Sequence, residues 1–179
     1  MSDSSLWTGL GSLALISAWC HGPASPFLPA AFEPVLLAYG RIHPPLVVAL
    51  VGTAASLVVE AINYVSYGYL LRGRYLLRVR EVSAGLTMMF GRRPFLACLI
   101  VATTPIPDWS ARMLGALARY PLRRYLLAFA MGRVPKFWLI ATVGQALHIS
   151  WWTVLALVLG SVLVACAGVA ARRLHEARA

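Results

Sequence analysis

The stretch Pro26-Phe27-Leu28-Pro29-Ala30-Ala31-Phe32-Glu33-Pro34 decides the reading of this chain, together with its echo Thr104-Pro105-Ile106-Pro107-Asp108. Each is an apolar segment broken by prolines and carrying one carboxylate. Proline removes a backbone donor and interrupts a helix. A carboxylate in an apolar run is expensive in lipid. The two segments are in register: Glu33 stands seven residues before Gly40, and Asp108 seven before Gly115, an offset of 75. Broken apolar segments at corresponding places in two halves are a sequence mark of a membrane transport site. Pro26, Pro29, Pro34, Pro105 and Pro107 are therefore read as the breakers of two hairpins.

Composition agrees. The 179 residues are 60% hydrophobic and 12% charged, with mean hydropathy +0.73. Soluble domains carry about a quarter charged residues. No polar linker is long enough to separate two domains, so residues 1–179 read as one membrane domain. The net charge is +10, and fifteen of the sixteen basic residues are Arg. They lie between apolar segments, as the positive-inside rule expects, and not on one soluble face, so no nucleic-acid partner is expected. Cys20, Cys98 and Cys166 are far apart and the histidines His21, His43, His148 and His175 sit at segment ends. Neither metal site nor disulfide framework follows, no cofactor is implied, and the histidines suit interfacial positions.

Working outward, residues 6–20 read as a first, thin membrane helix, lacking both the basic start and the cleavage site of a signal peptide. Residues 22–40 hold four prolines, too many for a straight span. Lipid-exposed irregular backbone is not tolerated, which leaves a re-entrant hairpin or a surface loop; the apolar residues between Phe27 and Leu37 favour the hairpin. Residues 44–71 open on Pro44-Pro45 and form a long helix. Its Glu60, Asn63 and Tyr67 are spaced i, i+3, i+7 and share one face, which must point into the bundle. Residues 74–91 read as an amphipathic helix on the cytoplasmic surface, within a stretch of six arginines from Arg72 to Arg93.

Residues 94–119 form the second hairpin, with Arg92 and Arg93 before it as phosphate or surface contacts. Asp108 and Arg112 stand i, i+4, the spacing of an intrahelical ion pair. Residues 121–147 are a helix containing Gly132-Arg133-Val134-Pro135-Lys136. Arg133 lies roughly 13 Å deeper than Arg124 at a helical rise, and Pro135 is expected to kink the helix. Arg133 and Lys136 read as site residues, or else as caps of a short span at the headgroups. Residues 149–171 are uncharged and form the clearest span. The fold expected is all-α and integral to the membrane: an inverted repeat with two facing re-entrant hairpins, about four spanning helices and a cytoplasmic amphipathic helix. Both termini are expected in the cytoplasm.

The order of Leu28-Pro29-Ala30-Ala31-Phe32-Glu33-Pro34 with Gly40, Asn63-Tyr64, Phe90-Gly91-Arg92, Pro105-Ile106-Pro107-Asp108 with Gly115, and Gly132-Arg133-Val134-Pro135 resembles the DedA family, also called VTT or SNARE-associated membrane proteins. The resemblance covers roughly Pro23 to Gly144. It implies two re-entrant hairpins in an inverted repeat in a bacterial inner membrane. It also implies lipid translocation, as a scramblase or as a flippase recycling undecaprenyl phosphate, with proton coupling in some members.

The expected site comprises Glu33, Glu60, Asn63, Asp108, Arg112, Arg133 and Lys136. Arginine holds phosphate bidentately. Glu33 and Asp108 would pair with the cations when the site is empty, and protonating them would change that pairing. The expected partner is an anionic lipid headgroup. A proton-coupled solute or ion transporter, with Glu60 and Asn63 as ligands, is the alternative. A purely structural membrane protein is a further reading. No nucleophile–base pair appears, so an enzyme is not expected. Homo-oligomerisation stays open.

Overall fold

The computed structural model describes residues 3–22, 32–70, 88, 90–104 and 109–147, together with positions 152–153, 155–156, 159–160 and 163. All regular structure among them is helical. The elements are α1 (Asp3–Cys20), α2 (Glu33–Gly40), α3 (Pro45–Leu70), α4 (Pro94–Thr103), α5 (Trp109–Leu117) and α6 (Leu122–Leu147). Proline marks the entries. Pro34, Pro45 and Pro94 sit in first turns and Pro121 just precedes α6, where a missing N–H costs nothing. Past the end of α5, Arg119 has a left-handed φ of 50°, and the Tyr120 N–H reaches back to the Gly115 carbonyl at 3.0 Å.

α3 and α6 have 26 residues each, and are long and apolar enough to cross a membrane. The apolar stretches of α1 and α4, Thr8–Cys20 and Pro94–Thr103, are shorter than that. α6 runs through Pro135 as one helix. The apexes expected around Pro26, Pro29, Pro105, Pro107 and Asp108 lie outside the described residues. So do most of the expected amphipathic helix 74–91 and most of the span 149–171.

α3 and α6 lie antiparallel. The Tyr64 and Tyr125 rings meet at 5.5 Å near the end of α3 and the start of α6, whereas Gly52 and Phe137 meet further along. α1 packs along α3: Gly9 faces His43, and Ser17 Oγ donates to the Gly52 carbonyl at 2.7 Å. α4 packs along α6, with the Phe90 and Tyr120 rings 5.9 Å apart and Ala102 against Gly132. The short helices cross over: α2 packs on α6 and α5 packs on α3. The α2–α6 contact is backbone to backbone. A Cβ at Gly40 would strike the backbone of Ala141, and one at Gly144 the backbone of Leu37. Only glycine admits so close an approach.

Two larger apolar cores result, beside a small cluster of Tyr67 and Ala116. One gathers Phe90, Ala97, Cys98, Val101, Tyr125 and Phe129. The other gathers Leu13, Phe32, Leu36, Val48, Phe137 and Ala141. Along α6, Arg133 falls between them. Large apolar side chains also face outward, among them Leu50, Val58, Ile62 and Val65 on α3 and Leu127, Met131, Leu139 and Val143 on α6. His21 and His43, at the ends of their segments, are buried within the protein. His21 packs edge-on against Phe32, and His43 is stacked on Tyr39 beneath α1.

Candidate functional site

The polar face of α3 turns inward. Glu60 and Asn63 are fully buried and Tyr67 nearly so. Ser56 and Thr53, one and two turns earlier, continue the buried stripe, so the i, i+3, i+7 spacing extends further toward the start of α3 than the sequence reading took it. Three side chains gather around Glu60: Arg112, Arg133 and Tyr125.

Arg112, from α5, is 2% exposed and places Nε 2.9 Å from Glu60 Oε1. The two groups form a buried ion pair. Arg133, from α6, donates through Nη2 to the same oxygen at 2.5 Å, and its guanidinium lies 4.8 Å from the Phe129 ring centre. The Tyr125 hydroxyl, two turns earlier on α6, donates to Glu60 Oε2 at 3.0 Å. One carboxylate thus joins α3, α5 and α6. Burying charges costs several kcal/mol per ion unless partners replace water; here both carboxylate oxygens have donors.

A second set of contacts holds the end of α1. The His21 carbonyl accepts from Asn63 Nδ2 at 2.8 Å and from Arg112 Nη1 at 3.1 Å. The His21 ring donates from Nδ1 to the Ser17 carbonyl at 2.8 Å; a carbonyl only accepts, so Nδ1 carries a proton. Among the described residues, buried Asn63 Oδ1 meets no hydrogen-bond donor.

The third set lies further along α6. Lys136 Nζ is 3.0 Å from Glu33 Oε1, at the start of α2, and 3.4 Å from the Thr104 carbonyl, just past the end of α4. This pair is partly wet: the Glu33 side chain is 44% exposed and that of Lys136 18%. The two sets correspond. In each, a charge on a long helix pairs with the opposite charge on a short helix packed against it, Glu60 with Arg112 and Lys136 with Glu33. In each, a carbonyl past a short apolar helix is also held, His21 or Thr104. The signs are exchanged between the two.

Six of the seven expected site residues fall within these sets. Asp108 lies outside the described residues. Glu33 pairs with Lys136, and the acid that meets Arg133 is Glu60. Arg92 and Arg93 are exposed, away from the cluster, just before α4. Sequence reasoning missed Tyr125 and the His21 and Thr104 carbonyls. A tyrosine two turns before Arg133 on the same helix face was the available signal for the first; carbonyls leave none. Among the described residues, no three His, Cys, Asp or Glu side chains gather to hold a metal. Set beside family models, curated proteins and solved structures, the chain finds no match.

Proposed function

We propose that this chain is a multi-pass membrane protein of the DedA type, moving an anionic lipid between leaflets through the site centred on Glu60. The observation that carries the reading is the convergence of two buried arginines from different helices on that one carboxylate. A phosphate presents the same planar pairs of acceptor oxygens to guanidinium as a carboxylate does. A headgroup entering the cluster could therefore take over donors that Glu60 holds. Buried charge beneath outward-facing apolar side chains supports a lipid surround, because ionisable groups at membrane depth face the bundle interior.

In this reading α1 and α2 are the arms of the first re-entrant hairpin, and α4 and α5 those of the second. The crossing of each short helix onto the other half's long helix supports an inverted repeat. So do the sign-exchanged ion pairs. The N-terminus then lies on the side where α3 begins, opposite the arginine-rich start of α4. This reading differs from the sequence expectation, which takes residues 6–20 as a thin spanning helix and places the N-terminus in the cytoplasm. A bacterial inner membrane, with the arginine-rich end in the cytoplasm, fits the positive-inside rule. Lys136 bridges the ends of the two hairpins and is the gate.

The test is reconstitution in liposomes carrying a fluorescent phospholipid, with bleaching of the outer leaflet. Wild type exposes the inner-leaflet probe, whereas Arg112→Ala and Arg133→Ala do not. Unchanged movement in both variants sinks the reading. A second reading rests on Asn63 Oδ1, which leaves an acceptor one turn from Glu60 for a small cation or proton-coupled solute. Solute uptake that depends on Asn63, with no lipid movement, would favour it.

A further inference from the structure

We infer a second anion site, separate from the Glu60 cluster: a collar formed by Arg92, Arg93, Arg119, Arg123 and Arg124, which docks the anionic headgroups of the leaflet facing it. The collar rests on the membrane reading above but not on translocation. The five arginines come from the start of α4, the α5–α6 turn and the first turn of α6. All five are exposed. Packing brings them to one end of the molecule: Phe90 stacks edge-on against Tyr120, and α4 runs alongside α6 from there. Among the described residues, no acid accompanies them. Glu33 and Glu60 are engaged in the interior pairs, and Asp3 begins α1 at the opposite end.

The local fold gives no reason for these cations. Arg119 occupies a left-handed backbone position after α5, where glycine is the residue without strain. A cation is welcome near a helix C-terminus, yet any position in the last turn would serve that purpose. Arg123 and Arg124 stand in the first turn of α6, which has no acid, although the positive end of a helix favours acids. Arg93 caps α4 without a side-chain hydrogen bond. Charge of one sign, placed against local preference beside helices of membrane-spanning length, is complementary to a negatively charged membrane surface. Phosphate diester headgroups suit these exposed forks.

The test uses the full chain in neutral detergent, titrated with phosphatidylglycerol or phosphatidylcholine, at low and high salt. The readouts are the thermal unfolding midpoint and lipid retention by native mass spectrometry. Phosphatidylglycerol should raise the midpoint, phosphatidylcholine should not, and high salt should abolish the gain. Arg119→Gly should raise the lipid-free midpoint by relieving the backbone, yet weaken phosphatidylglycerol binding about fivefold. The double variant Arg123→Gln, Arg124→Gln should weaken it further, about twentyfold. Phosphatidylglycerol binding left intact in both variants overturns the inference. So does an equal gain from soluble glycerol phosphate, which would make the partner a free phosphate.

Discussion

Replacing Glu60 with Gln keeps the side chain's volume and removes its charge. Two arginines, each about 2% exposed, then lose their shared counter-ion. At an effective dielectric of about 20, a unit pair at 4 Å is worth about 4 kcal/mol. Most of that attraction offsets desolvation, and the measured cost of removing one partner of a buried pair is about 3–5 kcal/mol. For a domain of this size each kcal/mol moves the midpoint by about 2–4 °C. Glu60→Gln should therefore lower the thermal midpoint by about 6–20 °C. Glu33→Gln is the internal comparison. Its pair with Lys136 is partly exposed, and such pairs contribute about 0–1 kcal/mol, so its midpoint should fall by no more than about 4 °C. Both are read by thermal unfolding of the full chain in one detergent. Equal losses in the two variants would refute the claim that Glu60 ties three helices together.

The backbone contact between α2 and α6 should resist even one added methyl. Gly144→Ala forces a Cβ into the Leu37 backbone and should cost about 1–3 kcal/mol, whereas Gly11→Ala meets nothing within 4 Å and should leave the unfolding midpoint unchanged or higher. Tyr125→Phe removes one donor from the buried carboxylate; the same assay should show a loss of about 1.5–3 kcal/mol, smaller than that of Glu60→Gln. Lys136→Met keeps the apolar stem and deletes the bridge to Glu33 and Thr104. Losing about 1 kcal/mol of closure should speed lipid movement about fivefold in the bleaching assay, and a slower rate would make Lys136 part of the headgroup's route.

What the sequence disclosed here was periodic or local. The spacing of Glu60, Asn63 and Tyr67 fixes a helix face, because residues three and four apart share it, and that face is buried. Counting residues along the helix separates Arg133 from the arginines at its start, and its side chain is buried. Pro45 and Pro121 marked where the long helices start. Partner choice was not legible. Glu60 and Arg133 are 73 residues apart, and nothing in either residue's surroundings distinguishes Glu60 from Glu33 as the acid that arginine meets. The burial of His21 and His43 was hidden for a related reason: whether a histidine at a segment end is covered depends on another helix lying over it, as α1 does over His43.

α6 meets α2, α3 and α4 from a single unbroken ladder: Tyr125, Phe129, Arg133, Phe137 and Ala141 at successive steps of four, closed by Gly144. Such a ladder has no slack in chain length. One residue inserted after Arg133 would rotate everything downstream by about 100°, carrying Phe137, Ala141 and Gly144 off the face that meets α2. Point changes on the outward side, at Leu127, Met131 or Leu139, carry no such consequence. Descendants of this sequence should therefore drift freely in composition along the outer face of α6 while admitting no insertion or deletion between Tyr125 and Gly144. Length variation should gather instead in the connections, where a changed residue count shifts no interior partner.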